Sequence, residues 1–346
     1  MFSEIGNLKD YWHVIALTSE LKPGRSLKRT LYDHPFLLWR DRAGRLHALT
    51  DSCAHRKTPV EVIDYGQNKV VCPYHGWQYD ATGNLTHIPS APDACGRLKC
   101  SIDHFSVIEA DGFVWIGLGR GTEPTEPRPN LDNFAGREWR STFKMREFQT
   151  TETLLVDNFM DPTHTGVVHD GLIRSQGQER DHHLTVTTSS TGVRVDFDEE
   201  EESVGFGARL LFGKTMKVRH TDEFLLPNLV RVVYHINGET RFVAFIACSP
   251  LSELSGGRTI AFVHLKYRFG LPGRLFGPAL SLLAGKVLQQ DARITEQQFA
   301  NMQRLPQTKE TLIAADAVGA SVTNIRDQIV RGESPAGSER RLQLRF

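Results

Sequence analysis

The sequence has no excess of charge of either sign, since its 346 residues include 41 Lys and Arg and 41 Asp and Glu. A balanced charge argues against a nucleic-acid-binding protein that works through bulk positive charge. With 40% hydrophobic residues, the chain is also not a disordered, highly charged polymer. Neither GxGxxG nor GxxxxGK(S/T) occurs, so the glycine-rich loops that bind dinucleotides or nucleoside triphosphates are absent. The chemistry of this chain must therefore come from other groups of residues.

The sequence also lacks a long apolar run and has few cysteines. The nearest candidate for a membrane helix, residues 271–288, is interrupted by Arg274 and Lys286, whereas a span needs about 18 apolar residues. The N-terminus has no basic segment followed by an apolar one, so no secretory signal is predicted. Five cysteines are an odd number and unsuited to a disulfide scaffold. We expect a cytoplasmic protein with no stable membrane span, whose cysteines bind metal or remain thiols.

Turn signals divide the first part of the chain into short strands. The segment Asp41–Gly44 separates FLLWR from RLHAL, residues 81–84 follow WQYD, and Asp111-Gly112 separates FSVIEA from FVWIGL. Short strands at this spacing are typical of a small antiparallel β domain. Residues 119–130 are rich in Gly and Pro and lack apolar anchors, which indicates a domain boundary.

The second part of the chain combines strands and helices. Alternating apolar residues over 183–268 predict a larger antiparallel sheet, and the periodicity changes to that of helices over 275–303 and 309–331. The polar tail is expected to be frayed. We predict an α+β protein with an all-β domain over residues 8–118, a linker over 119–140, a sheet domain flanked by helices over 141–331, and a tail over 332–346.

Two Cys-His pairs form the first group of residues with evident chemistry. Cys53-Ala54-His55 and Cys72-Pro73-Tyr74-His75 are separated by the sixteen residues 56–71. In a Rieske 2Fe–2S centre one iron takes two Cys and the other takes two His, and two pairs of this composition supply one ligand to each iron. A structural zinc site with two Cys and two His is an alternative, although such sites usually group Cys with Cys and His with His. The third alternative is that these residues bind no metal.

A second group of polar residues lies in the segment VDNFMDPTHTGVVHDG. Two His and one carboxylate on one face are a known way to hold an iron that must keep open positions for O₂. His164 and His169 are five residues apart, which on a regular helix separates them by about 140°, so we expect a bend at Gly166. Asp161 lies three residues before His164, close enough to hydrogen-bond with it and fix its tautomer. From spacing alone, two histidines five residues apart more often form a surface or core pair than a metal site.

Together these motifs carry a family resemblance. CAHR at 53–56, CPYHGWQYD at 72–80 and DNFMDPTHTGVVH at 157–169 resemble the cluster-binding loops and the iron-binding stretch of Rieske non-haem iron oxygenase α subunits. The departure is the run from Arg56 to Val60, which replaces a more usual series of small residues. The resemblance covers residues 8–118 and 145–330, and it implies a helix-grip-like catalytic domain. It also implies a 2Fe–2S cluster on Cys53, His55, Cys72 and His75, and a mononuclear ferrous iron on His164 and His169.

The resemblance also implies further site residues. The family's bridging aspartate corresponds to Asp161, which in the family links an iron-ligating His to the second Rieske His of the neighbouring subunit, here His75. The family's asparagine near the iron corresponds to Asn158. The third iron ligand is expected in LQQDARITEQQ at 288–298, where we favour Asp291. The competing carboxylates are Glu296 and, less favoured, Asp170, Glu179 and Asp181.

The implied activity is that of a terminal oxygenase. Such a subunit uses O₂ and electrons from a separate reductase or ferredoxin, so that NAD(P)H acts only indirectly, and it hydroxylates or oxidatively demethylates a small aromatic or alkaloid-like substrate. A ring cis-dihydroxylating dioxygenase is the alternative, and a Rieske electron carrier or a zinc-stabilised binding module is less favoured. The resemblance implies a homotrimer or a multiple of three. Candidate pocket residues are Phe206, Leu211, Phe212, Tyr234, Phe242 and Phe245.

Overall fold

The computed structural model describes residues 2–131, 134, 136, 138–169, 180–198, 200–203, 215–252, 256–269 and 273–346. The chain divides into two compact units. The first comprises the residues up to Arg128 with a short piece that begins at Leu251, and the second comprises Pro129–Pro250 and Gly256–Phe346. The division at Arg128 falls within the residues predicted to form the linker.

The first unit is all β apart from 3-10 segments at Ser3–Asp10, Thr18–Glu20 and Pro92–Ala94, as its sequence predicts. Its three antiparallel sheets have the orders β1-β10-β9, β2-β3-β4 and β5-β6-β7-β8. The strands are β1 (Trp12–Leu17), β2 (Arg25–Leu31), β3 (His34–Arg40), β4 (Leu46–Thr50), β5 (Glu61–Asp64), β6 (Lys69–Val71), β7 (Gln78–Tyr79), β8 (Leu85–His87), β9 (Phe105–Ala110) and β10 (Phe113–Arg120).

The predicted hairpins of this unit are confirmed. The turn that joins β9 to β10 has positive φ at both Asp111 and Gly112, which matches the right-handed twist of the two strands that it connects. The core beneath the third sheet contains the side chains of Trp39, Tyr79, Cys53 and Cys72. Because the two cysteine side chains are packed in this core, it holds the loops that carry them in place.

The second unit is built on a nine-stranded antiparallel sheet in the order β11-β18-β17-β16-β15-β13-β12-β19, with β14 paired to β15. Among the described residues of this unit, two short helices lie between its first and second strands in chain order, and two longer helices lie before its last strand. The strands are β11 (Arg140–Phe148), β12 (Asp181–Ser189), β13 (Gly192–Phe197), β14 (Glu200–Ser203), β15 (Thr215–Leu225), β16 (Leu229–Ile236), β17 (Glu239–Ser252), β18 (Arg258–Tyr267) and β19 (Ser338–Arg345). The helices are α1 (Glu152–Met160), α2 (Thr165–Val168), α3 (Gly273–Arg304) and α4 (Ala317–Val330).

The prediction of a frayed polar tail was wrong. Residues Ser338–Arg345 form β19, which pairs antiparallel with β12 along its full length. Leu342 and Leu344 are buried, whereas the residues between and before them are exposed. A strand at the edge of a half-solvated sheet needs an apolar side chain only at every second position, so polar composition alone does not indicate fraying.

The last helix also begins later than predicted. The sequence pattern placed its start at residue 309, but a single 3-10 turn spans Ala314–Asp316 and α4 begins at Ala317. Leu312 and Ile313, which lie in the part of the predicted helix that does not form, are each 67% exposed. They do not bury a face, and helix formation depends largely on such burial.

Helix α3 begins at Gly273 and includes most of the stretch, residues 271–288, that came nearest to a membrane span. Among the described residues, no helix is both long enough and apolar enough to cross a membrane. Its buried positions near the C-terminal end include Leu288, Asp291, Ala292 and Thr295, which follow the helical period on one face. This face therefore places a carboxylate, Asp291, inside the unit.

Candidate metal centres

Two loops of the first unit, after β4 and after β6, have nearly the same backbone hydrogen bonds. The carbonyls of Cys53 and Cys72 each accept a hydrogen bond from the amide four residues later, on Lys57 and Gly76, at 2.9 Å in both loops. Lys57 and Gly76 both have left-handed backbone, with φ of 60° and 70°. A Cβ at Gly76 would lie only 2.9 Å from Cγ of Pro89, so only glycine fits there without displacing its neighbour.

The two loops present two buried sulfurs and two exposed imidazoles. Cys53 and Cys72 are buried free thiols, while His55 and His75 are exposed, with ring centroids 4.7 Å apart. Trp77 stacks on His55 at 4.8 Å with an interplanar angle of 6°. Because a Rieske cluster takes two Cys on one iron and two His on the other, this pairing of donors fits a cluster with its sulfur side inward and its imidazole side outward.

Tyr79, which sequence reasoning missed, lies directly beside a sulfur of this site. Its hydroxyl oxygen is 3.1 Å from Cys53 Sγ and accepts a hydrogen bond from the Ala54 amide at 3.2 Å. Burial, together with the hydrogen bond to Cys53, raises the pKa of Tyr79 far above its usual value. The hydroxyl therefore keeps its proton and can donate it to the sulfur. The signal was the final tyrosine of CPYHGWQY, 26 residues after Cys53 in the chain.

The second unit brings His164, His169 and Asp291 together, as predicted. One donor atom from each lies within 4.8 Å of the others. Asp291 Oδ1 is 3.0 Å from His169 Nε2 and 3.6 Å from His164 Nε2. His169 and Asp291 are each only 1% exposed. Two imidazoles and one carboxylate in this arrangement match the donor set of non-haem iron sites that keep open positions.

The chain path at this site differs from the prediction in one respect. Helix α1 ends at Met160, and Asp161 is extended before Pro162. Gly166 lies inside the one-turn helix α2, and the two histidines flank that helix as its caps. The predicted bend at Gly166 was therefore wrong, because the helical turn ends at His169, where φ is −108° and ψ is 30°.

The electrostatics of Asp291 favour a bound cation. Burial alone would raise the pKa of Asp291, but the neighbouring imidazoles of His164 and His169 lower it below its usual value. Its Oδ1 atom is buried, and no donor in the described part of the chain meets it in hydrogen-bonding geometry. A buried carboxylate oxygen that faces two imidazole nitrogens is suited to a metal ion that shares the three lone pairs.

Each imidazole is oriented through its other nitrogen. His164 Nδ1 donates a hydrogen bond to the backbone carbonyl of Asp161 at 2.7 Å, whereas the Asp161 carboxylate is 3.7 Å from that nitrogen. The hydrogen bond predicted for the Asp161 side chain is thus made by the backbone of the same residue. His169 Nδ1 donates to Oε1 of Gln290 at 2.9 Å, a contact that sequence reasoning missed.

The remaining candidates lie in other environments or outside the described residues. Asn158 lies close enough to Asp291 to lower the pKa of its carboxyl. Glu296 accepts a hydrogen bond from the backbone N–H of Gln149, and Asp181 is the first residue of strand β12. Tyr234 and Phe242 pair across β16 and β17, with ring centroids 6.0 Å apart, and Phe245 is fully buried. The candidates outside the described residues are Asp170, Glu179, Phe206, Leu211 and Phe212.

Comparisons with known proteins give a separate match for each part of the chain. Residues 11–105 match the model of the Rieske [2Fe-2S] domain. Residues 148–332, more than half of the chain, match the vanillate O-demethylase oxygenase C-terminal domain. The first match contains both Cys-His pairs, and the second contains His164, His169 and Asp291.

Individual relatives match about half or most of the chain. The chain is 32% identical over 166 residues to the oxygenase component of dicamba O-demethylase from Stenotrophomonas maltophilia, covering 47% of this chain and 48% of the relative. It is 26% identical over 294 residues to protein TIC 55 of Arabidopsis thaliana, covering 81% of this chain and 51% of the relative. It thus spans about half the length of these curated relatives.

The fold itself matches a solved structure over nearly the whole chain. The crystal structure of dicamba monooxygenase bound to dicamba superposes with a TM-score of 0.77 at 19% sequence identity, covering 94% of this chain and 98% of the other. This similarity establishes the fold, an all-β Rieske domain followed by an antiparallel sheet with helices. From the two domain matches, the chain belongs to the Rieske oxygenase family whose C-terminal domain is that of the vanillate O-demethylase oxygenase.

Proposed function

We propose that this chain is the terminal oxygenase of a Rieske non-haem iron system, which hydroxylates or oxidatively demethylates a small organic substrate. The observation that carries the proposal is the presence of two different donor sets on one chain, one in each unit. A Rieske cluster transfers single electrons, and ferrous iron with three protein ligands keeps positions open for O₂. An electron carrier would need only the first set, and a zinc-stabilised module would need no second set.

We assign the cluster to Cys53, His55, Cys72 and His75, and the mononuclear iron to His164, His169 and Asp291. The buried sulfurs and exposed imidazoles support the first assignment. The convergence of three donor atoms on one buried point supports the second. We infer that Asn158 lies near the iron, because it is close enough to Asp291 to lower the pKa of that carboxyl.

We infer that the working enzyme is a ring of three subunits in which His75 of one subunit approaches Asp161 of the next. The exposure of His75 supports this arrangement. So does the Asp161 side chain, which is 34% exposed and has Oδ2 3.7 Å from His164 Nδ1. In such a ring Asp161 would accept a hydrogen bond from the incoming imidazole while its backbone carbonyl holds His164.

The electron donor in this proposal is a separate ferredoxin or reductase, with NAD(P)H acting only through it, because the sequence has no glycine-rich nucleotide loop. None of the five cysteines forms a disulfide, which supports a cytoplasmic location. The relatives named for dicamba and for toluene-4-sulfonate support a small aromatic substrate. For a methyl ether, O₂ with two electrons and two protons would yield the demethylated product, formaldehyde and water.

Metal and sulfide analysis of the purified chain tests the assignment. We expect a brown protein with about two cluster irons, two sulfides and one further iron per chain. His164→Ala should lose the further iron alone, with the cluster absorption unchanged. A colourless protein that contains zinc would overturn the proposal, and loss of the cluster absorption in His164→Ala would show that the two sites are wrongly assigned.

A substrate screen tests the reaction. Candidate aromatic and alkaloid-like compounds are incubated with the holoenzyme and a generic ferredoxin-reductase pair, and O₂ uptake and formaldehyde release are followed together. Equal amounts of O₂ consumed and formaldehyde released would establish demethylation. A cis-dihydrodiol product would assign the chain to the ring-dihydroxylating alternative instead.

A further inference from the structure

Gln290 and Asp291 are consecutive residues of α3, and both contact the imidazole of His169. Asp291 Oδ1 lies 3.0 Å from Nε2, and Gln290 Oε1 lies 2.9 Å from Nδ1. We propose that Gln290 is a positioning residue that fixes the tautomer and orientation of His169 for metal binding. This inference rests on the proposed iron site.

The hydrogen bond to Gln290 determines which ring nitrogen of His169 can bind a metal. An amide oxygen only accepts hydrogen bonds, so the proton must be on Nδ1. The lone pair of His169 is then on Nε2, the nitrogen that faces Asp291 and His164. Partners of this kind, on the far side of a ligating imidazole, orient the ring and raise its affinity for metal.

The two histidines are anchored in different ways. His164 donates to the carbonyl of Asp161, three residues away in its own segment. His169 lies where α2 ends, and its Nδ1 donates to the side chain of Gln290, 121 residues away in sequence. A change at Gln290 therefore alters the anchor of one histidine and leaves that of the other unchanged.

Gln290 also borders open space, which allows substitutions without overpacking. It lines a pocket of about 870 Å³ on α3, together with Arg146, Gln289 and Arg293. A side chain of similar size at position 290 can be accommodated there, so variants should fold. Gln289 lines the same pocket and is exposed, and no hydrogen bond joins it to His169 in the described structure, so it offers a matched control.

The first test measures the affinity of the mononuclear site for Fe(II) in protein that retains its cluster, by competition with a chelator. We expect Gln290→Leu to weaken Fe(II) binding by about 10- to 100-fold, with the cluster absorption unchanged. Gln290→Glu keeps an acceptor oxygen and should retain an affinity within about threefold of the original protein. Gln289→Leu should have no effect.

The second test distinguishes positioning from general destabilisation. In protein with Co(II) at the mononuclear site, each ligating imidazole gives a solvent-exchangeable, paramagnetically shifted N–H signal in the NMR spectrum. We expect Gln290→Leu to broaden or remove the signal of His169 and to leave that of His164 in place, whereas Gln290→Glu should retain both. A loss confined to the His169 signal indicates that one hydrogen-bond acceptor is missing, whereas a looser fold would alter the signals of both histidines.

Two results would overturn the inference. One is a Gln290→Leu variant that binds Fe(II) as tightly as the unaltered protein and keeps both N–H signals. The other is equal loss in Gln290→Leu and Gln290→Glu, which would show that the acceptor oxygen is not what matters. If the unaltered protein bound neither Fe(II) nor Co(II) at this site, the proposed function itself would fail, and that outcome is distinct from both.

Discussion

Replacing Tyr79 by Phe should lower the reduction potential of the cluster. The Tyr79 hydroxyl lies 3.1 Å from Cys53 Sγ and accepts a hydrogen bond from the Ala54 amide, so its own proton is directed to the sulfur. Reduction adds negative charge to the cluster and its thiolates, and a donor at this position stabilises the reduced form more than the oxidised form. Removing the hydroxyl removes that preference.

The size of the effect follows from the strength of the bond. Hydrogen bonds to charged groups contribute about 1.5–3 kcal/mol. If about half of this differs between the two oxidation states, the change is about 0.75–1.5 kcal/mol, and a one-electron couple shifts by about 59 mV for each 1.4 kcal/mol. We therefore expect Tyr79→Phe to lower the midpoint potential by about 30–65 mV.

Redox titration followed by the visible absorption of the cluster measures this shift. Tyr74→Phe is the control, because Tyr74 is 62% exposed and its ring contacts His75, with no hydrogen bond to a sulfur among the described contacts. Its potential should stay within about 10 mV of the unaltered protein, well below the shift expected from losing one such hydrogen bond. A Tyr79→Phe protein with full iron and sulfide content and an unchanged potential would refute the reasoning.

Three further predictions concern other parts of the molecule. Asp161→Ala should keep the cluster spectrum and the mononuclear iron but lose nearly all turnover, and full activity in this variant would exclude the proposed contact between subunits. Gly319→Ala should reduce the free energy of unfolding by about 1–3 kcal/mol, because the added Cβ would lie 1.7 Å from Asp157 Oδ1, whereas Gly96→Ala, which meets nothing within 4 Å, should not show this loss in thermal unfolding. Burial lowers the pKa of His34 to about 4, so as the pH falls this imidazole takes up a proton in the unfolded chain before it does so in the folded chain. Above about pH 6.5 the free energy of unfolding does not depend on the protonation of His34. Between about pH 6.5 and pH 4 it decreases, by up to about 1 kcal/mol per pH unit. His34→Gln should flatten that dependence in denaturant titrations at several pH values, and an unchanged slope would contradict the assigned cause.

Local patterns predicted most of the fold. The hairpin turns depend on residues adjacent in sequence, such as Asp111-Gly112, and the strands of both sheets show their alternation directly. The prediction failed where burial depends on distant partners. Leu342 and Leu344 are buried only because β12 lies beside them, and Leu312 and Ile313 remain exposed although their pattern resembles a helical face.

The site shows the same division. Cys53, His55, Cys72 and His75 lie on two short loops, so their spacing indicates a shared metal site, which the family resemblance identifies as a cluster. The family resemblance favoured Asp291 over Glu296 as the third iron ligand. Only the structure shows which of the two carboxylates faces the histidines, because α3 buries one side and exposes the other.

By itself, the sequence determined the types of donor atom, the two-unit organisation and the family to which the chain belongs, because these depend on composition, spacing and short motifs. Only the tertiary structure showed the Tyr79 hydroxyl at a cluster sulfur and the Gln290 amide at His169. The physical reason is that a hydrogen bond between residues 26 or 121 positions apart leaves no periodic signal in the chain. It forms only when packing of the whole unit brings donor and acceptor within about 3 Å.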